Sequence, residues 1–145
     1  MLKNMTQTQR YRLRERGQSL VEIAFLLPVL LILLSGLIDF GRVYYAMVAL
    51  NDSAEEGATY ASLWPSDYTE IQRRTAAAST GIVTFPTESV DVTYPPGFPD
   101  VSSGTPITVT VNYTIPLYTP FANTIFPDGV LEVQGEAVQP IMVNP

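Results

Sequence analysis

The chain has 145 residues, eight Lys and Arg against fourteen Asp and Glu, a net charge of −6, and neither His nor Cys. Without His it lacks the commonest general base and metal ligand, and without Cys a thiolate nucleophile or disulfide framework, so Ser-His-Asp, Cys-His and His-based zinc chemistry are excluded. The length allows one small domain and an anchor, and the acidic balance argues against nucleic acid, whose phosphates require Lys and Arg.

Charge is partitioned along the chain. Lys3, Arg10, Arg12, Arg14 and Arg16 precede Gly17, leaving Arg42, Arg73 and Arg74 beyond it. Residues 18–145 therefore hold three basic against thirteen acidic residues (fourteen less Glu15), a net of −10. Among the nineteen residues from Leu20 to Ile38 the only charge is Glu22. At about 1.5 Å per residue, that run crosses a hydrocarbon core of about 30 Å as a helix. A charge inside such a run costs roughly 2.5–3.5 kcal/mol at the bilayer centre, so Glu22 requires a reason. The positive-inside rule leaves the basic end in the cytoplasm and sends the acidic body across.

A secretory signal has an apolar region of about 7–15 residues closed by a small-x-small site. This run is longer, and Ala76-Ala77-Ala78 lies far downstream of it. The expected cut therefore falls before the run, between Gly17 and Gln18, leaving the hydrophobic segment on the mature protein. The alternative is an uncleaved single-span anchor for an extracytoplasmic binding domain, with Gly17 and Glu22 incidental.

The order of basic leader, Gly17, four residues, Glu22 and apolar helix is similar to the type IV prepilin superfamily. Glu22-Ile23-Ala24-Phe25-Leu26-Leu27-Pro28, Gly36-Leu37-Ile38-Asp39-Phe40-Gly41-Arg42 and Ala54-Glu55-Glu56-Gly57-Ala58-Thr59-Tyr60-Ala61 together resemble the TadE-like pseudopilins. These are minor pilins of the tight-adherence (Tad, or Flp) pilus and secretion machinery. The resemblance implies a non-catalytic structural subunit without a cofactor. It implies a leader (residues 1–17) removed by a prepilin peptidase, a transmembrane and assembly helix (18–42) and an extracytoplasmic α+β domain (43–145). The implied partners are that peptidase, other pilin and pseudopilin subunits, the Tad inner-membrane assembly proteins and the membrane. The implied location is the inner membrane, N-terminus inside, and then a cell-surface pilus. Glu22 becomes an assembly or processing contact, its counter-charge the α-amine of a neighbouring subunit's Gln18. Gln18 departs from the pattern, standing where many type IV pilins carry a methylated Phe.

Beyond the lipid, Val43, Met47, Leu50, Ala54, Ala58 and Ala61 recur at three- and four-residue steps, which predicts one helix over about residues 18–63 with an apolar face. Trp64-Pro65 ends it, because the residue before proline disfavours the helical region. Pro28 frees the Ala24 carbonyl, at about 3 kcal/mol in an ordinary helix interior. It reads as a kink that adapts the helix between bilayer and filament, or as a tolerated membrane proline. Asp39 and Arg42, at i and i+3, are spaced to pair where the helix leaves the lipid. Asp52, Glu55 and Glu56 share a helix face: a solvated acidic surface, with a calcium site or an acid/base pair as the alternative.

Asp67-Tyr68-Thr69-Glu70 has capping-box spacing for a short second helix, stopped by Gly81 after Thr80, with Tyr68, Ile71, Thr75 and Ala78 facing inward. From Glu88 the period becomes two. Val90, Val92 and Tyr94 form one apolar face, Ile107 to Ile115 a second, and Leu131, Val133 and Ala137 a third, which Gly135 weakens. The fold expected is α+β: a long helix, a short helix and a three-stranded antiparallel meander packed on the long helix. Phe98, Tyr118, Phe121, Ile125 and Phe126, in or beside the Pro-rich loops, are expected to fold back over the small core. The alternative is that they contact other subunits. The N-glycosylation patterns at Asn4, Asn51 and Asn112 are expected by chance.

Overall fold

Strong helix formers on both sides of an unbroken apolar run make the first element very long. In the computed structural model, helix α1 runs from Gln7 to Leu63. Described are residues 7–142 apart from 80, 82, 101 and 121, with residues 7–17 and 127 described by their backbone alone. The helix begins at Gln7 rather than near residue 18. Its Arg- and Gln-rich start has high helix propensity, and extending an existing helix needs no new nucleus. It continues through Pro28. At its end, the Trp64 amide donates to the Tyr60 carbonyl at 3.0 Å. Residues 18–63 contain a stretch long and apolar enough to cross a membrane, and the large apolar side chains from Leu20 to Ile38 are exposed.

Helix α2, Tyr68–Ala78, starts as its capping residue predicts: Asp67 Oδ1 accepts the Glu70 amide at 3.2 Å. The Glu70 side chain does not complete the box. It takes Arg73 at 2.6 and 2.7 Å and Arg74 at 3.0 Å, because a two-pronged charge-assisted contact outweighs a neutral amide. Those contacts, Arg73 first, hold the Glu70 carboxyl down to about 2. Ile71 and Thr75 are buried as expected, whereas Tyr68 is exposed. Close contact between α1 and α2 depends on Gly57, where a Cβ would overlap Thr75 Oγ1.

The alternating segments form strands β1 (Val90–Thr93), β2 (Pro106–Pro116) and β3 (Val130–Pro140), antiparallel in the order β1-β2-β3. Val92 pairs with Val109, and Val109 with Ala137. Their inner face meets the second half of α1. Val90, Ile107, Val109 and Val111 are fully buried against Leu50, Ala54, Ala58 and Ala61. The small side chains on the helix let the sheet approach closely. Met47 was expected in this face but is exposed, and Ala46 is buried instead; the sequence Val43, Ala46, Leu50 keeps the same steps and follows the turn that faces the sheet.

Gly135 marks the crossing of β3 over α1. A Cβ there would lie 2.6 Å from both the Leu50 Cβ and its carbonyl oxygen. The next residue, Glu136, donates its amide to Asn51 Oδ1 at 3.1 Å. The residue expected to weaken the strand is therefore where strand and helix touch.

Candidate functional site

Between β2 and β3 the chain makes a loop of residues 117–129, closed at its base by the Leu117 amide on the Gly129 carbonyl at 2.9 Å. It holds a one-turn helix, α3 (Ala122–Ile125), and returns through Asp128 and Gly129 at φ 55° and 67°. The loop leans on α1 at Asp39, which is only 5% exposed. Asp39 Oδ2 accepts the Tyr118 amide at 2.8 Å, the Thr119 amide at 2.6 Å and the Thr119 hydroxyl at 2.7 Å. Asp39 Oδ1 takes Arg42 Nη1 at 3.1 Å. That nitrogen also donates to the Pro116 carbonyl at 2.9 Å, and the guanidinium lies 4.0 Å over the Tyr118 ring.

These contacts make a latch. Two successive backbone amides and a hydroxyl cradle one carboxylate oxygen, as anion-binding turns do. A carboxylate offers about four acceptor positions, so four donors leave little capacity for proton transfer to a substrate. The chemistry is positional: a loop is fastened to the helix at the end of the apolar run. The i,i+3 spacing of Asp39 and Arg42 is legible in the sequence. Tyr118 and Thr119, 79 and 80 residues away from Asp39, carried no such signal. Pro116-Leu117-Tyr118-Thr119-Pro120 reads only as a loop between two prolines.

At the other end of the span, Gln18 Nε2 donates to Glu22 Oε1 at 3.4 Å, and both residues are exposed one turn apart on α1. Gly17 lies in helical backbone, while Lys3 falls outside the described residues. Asp52, Glu55 and Glu56 are exposed, and among the described residues no group of three His, Cys, Asp or Glu is placed to hold a metal ion.

The loop aromatics divide. Phe98 packs on the core and lies 4.4 Å from the Tyr94 ring, as expected. Phe126 is half-buried. Tyr118 and Ile125, by contrast, are 66% and 79% exposed. The latch explains their exposure, contrary to the expected cover over the core, because it draws the loop along α1 toward the apolar run. Phe121 lies outside the described residues. Beside the latch, a half-open apolar groove of about 340 Å³ is lined by Ile38, Arg42, Tyr45, Val83, Tyr113 and Ile115, among others.

Residues 17–59, less than a third of the chain, match the family of TadE-like proteins. The match covers Gly17, Gln18, Glu22, Pro28, Asp39 and Arg42 and stops before the sheet. No curated protein and no solved structure matches the chain.

Proposed function

We propose that this chain, TadE-like over residues 17–59, is a minor pilin or pseudopilin of a Tad-type pilus assembly and secretion machine. It is a structural subunit, not a catalyst. A prepilin peptidase cuts between Gly17 and Gln18. Residues 18–42 then serve as membrane and assembly helix, and residues 43–145 as the extracytoplasmic domain. The basic N-terminus stays in the cytoplasm and the acidic body lies outside, in keeping with the charge partition. From the inner membrane the subunit passes to other pilin subunits and the Tad assembly proteins, and with them to the cell surface and adhesion.

One observation carries this reading: the order Gly17, Glu22, apolar run, on a helix that continues into a packed domain. A small residue before the cut lets the leader enter a tight peptidase site, where a Cβ and its substituents clash. A second reading, an uncleaved single-span anchor carrying a binding domain, draws on the continuity of α1 across Gly17. The two differ in the N-terminal residue of the mature protein, read by mass spectrometry of the membrane fraction. Gln18 is expected there, and Gly17→Leu is expected to accumulate at full length. A Gly17→Leu chain trimmed at the same bond rules out the prepilin reading.

A further inference from the structure

The latch fixes the β2–β3 loop at a definite depth. Asp39 directly follows the apolar run, so with the run across the lipid its carboxylate sits at the outer edge of the hydrocarbon. Tyr118 and Thr119, bonded to that carboxylate at 2.8 and 2.6 Å, share this level. Gly36 is one turn deeper, about 4.5 Å along the axis. A Cβ on Gly36 would meet Thr119 Oγ1 at 4.0 Å. The loop thus lies against the last turn of the span rather than above it.

Its composition suits that depth. Residues 117–127 carry no charge, and Tyr118 and Ile125 are 66% and 79% exposed, Tyr118 with one ring face against Arg42. Phe40 and Tyr44 are also exposed where α1 emerges. Amphipathic rings and apolar side chains uncovered at this level match what the head-group region of a bilayer accommodates.

We propose that the loop of residues 117–129 is a second membrane contact, with Tyr118 and Ile125 resting in the head-group region of the outer leaflet. The domain is then held to the bilayer by a loop as well as by its helix. This inference rests on the reading of α1 as a membrane span. Lipid is the occupant because residues 117–127, which carry no charge, continue the uncovered apolar surface that ends at Ile38, while Asp128 and the Arg42 guanidinium over the Tyr118 ring mark the polar margin that a head-group region accommodates.

The test uses the full chain, one copy per phosphatidylcholine nanodisc, with lipids brominated either near the head group or near the chain ends. Trp64 is the single Trp, exposed and about 37 Å beyond Asp39 at about 1.5 Å per residue. It is the aqueous reference and is expected to be quenched by neither lipid. In a Trp64→Phe background, Ile125→Trp is expected to emit to the blue of that reference and to be quenched more by head-group bromines than by chain-end bromines. Leu30→Trp is expected to show the opposite preference. Quenching at Leu30→Trp without quenching at Ile125→Trp overturns the loop contact and leaves the span intact. No quenching at either overturns the span, and the loop contact with it. A blue-shifted but unquenched Ile125→Trp means that protein covers the site, which also overturns the proposal. In this Cys-free chain, a nitroxide on Ile125→Cys repeats the measurement. It is expected to collide more with oxygen than with a water-soluble nickel complex, and the reverse preference refutes lipid contact.

Discussion

At the scale of single residues, Asp39 does the most. Three of its four donors come from a segment 79 and 80 residues away, and no pattern of hydropathy links two polar groups across such a separation. Spacing made the Asp39–Arg42 relation legible. The loop donors were not, because a backbone amide is the same in every sequence. Hydrogen bonds to a charged group contribute about 1.5–3 kcal/mol each. Asp39→Ala should therefore free the Tyr118 and Thr119 amides, and their hydrogen exchange should speed up by about ten- to a hundredfold, at roughly 1.4 kcal/mol per tenfold. Exchange at Val109 and Val111, in the buried core, should stay slow. Asp39→Asn keeps an acceptor oxygen and should fall between the two. Wild-type exchange at Tyr118 and Thr119 in Asp39→Ala would show that the loop holds its place without the latch.

At the scale of elements, the sequence is most legible where a period runs long. The apolar run of α1 and the alternation in β2 give their elements directly, and the meander follows from three strands in succession, each with one apolar face. Helix α3, at four residues, is too short to show a period and is formed by its place in the latched loop. Met47 and Ala46 both fit an apolar helix face, and only the sheet's position decides between them. Gly135 obeys two rules at once. It lacks a side chain to strengthen a strand, yet only Gly admits the Leu50 backbone so closely. Gly135→Ala decides which rule dominates. Restricting the unfolded chain would stabilise by about 0.4–1 kcal/mol, whereas overpacking costs about 1–3 kcal/mol. The net expectation is a melting temperature lower by about 5–10 °C for a domain of this size, measured by circular dichroism in detergent. A raised melting temperature would mean that helix and strand separate at no cost.

At the scale of the whole molecule, charge and greasiness divide the chain into a basic start, an uncovered rod and an acidic body. Glu22 is the exception within the rod. In the single chain its carboxylate is exposed and receives the Gln18 amide at a long 3.4 Å. On the pilin reading an assembled bundle would desolvate it, and the α-amine of a neighbour's Gln18, once cut, would be the counter-charge within reach. Removing one member of a buried pair typically costs about 3–5 kcal/mol, equivalent to two or more orders of magnitude in incorporation. Glu22→Ala should then be inserted and cut, yet missing from sheared pili on an immunoblot. Normal amounts of the cut variant in pili would rule out the pairing, and loss of cutting alone would reassign Glu22 to processing.

Because α1 is one rod from Gln7 to Leu63, the latch at Asp39 and the sheet contact at Leu50 must agree in azimuth as well as in height. One residue inserted between them would turn everything beyond it by about 100° and part the loop from its carboxylate. An insertion between Glu22 and Gly36 would spare the domain but swing it by the same angle about the helix axis relative to Glu22. On the pilin reading, the count of residues between Glu22 and Asp39 would therefore work as a compass setting, fixing the direction in which the acidic body faces once Glu22 meets its partner.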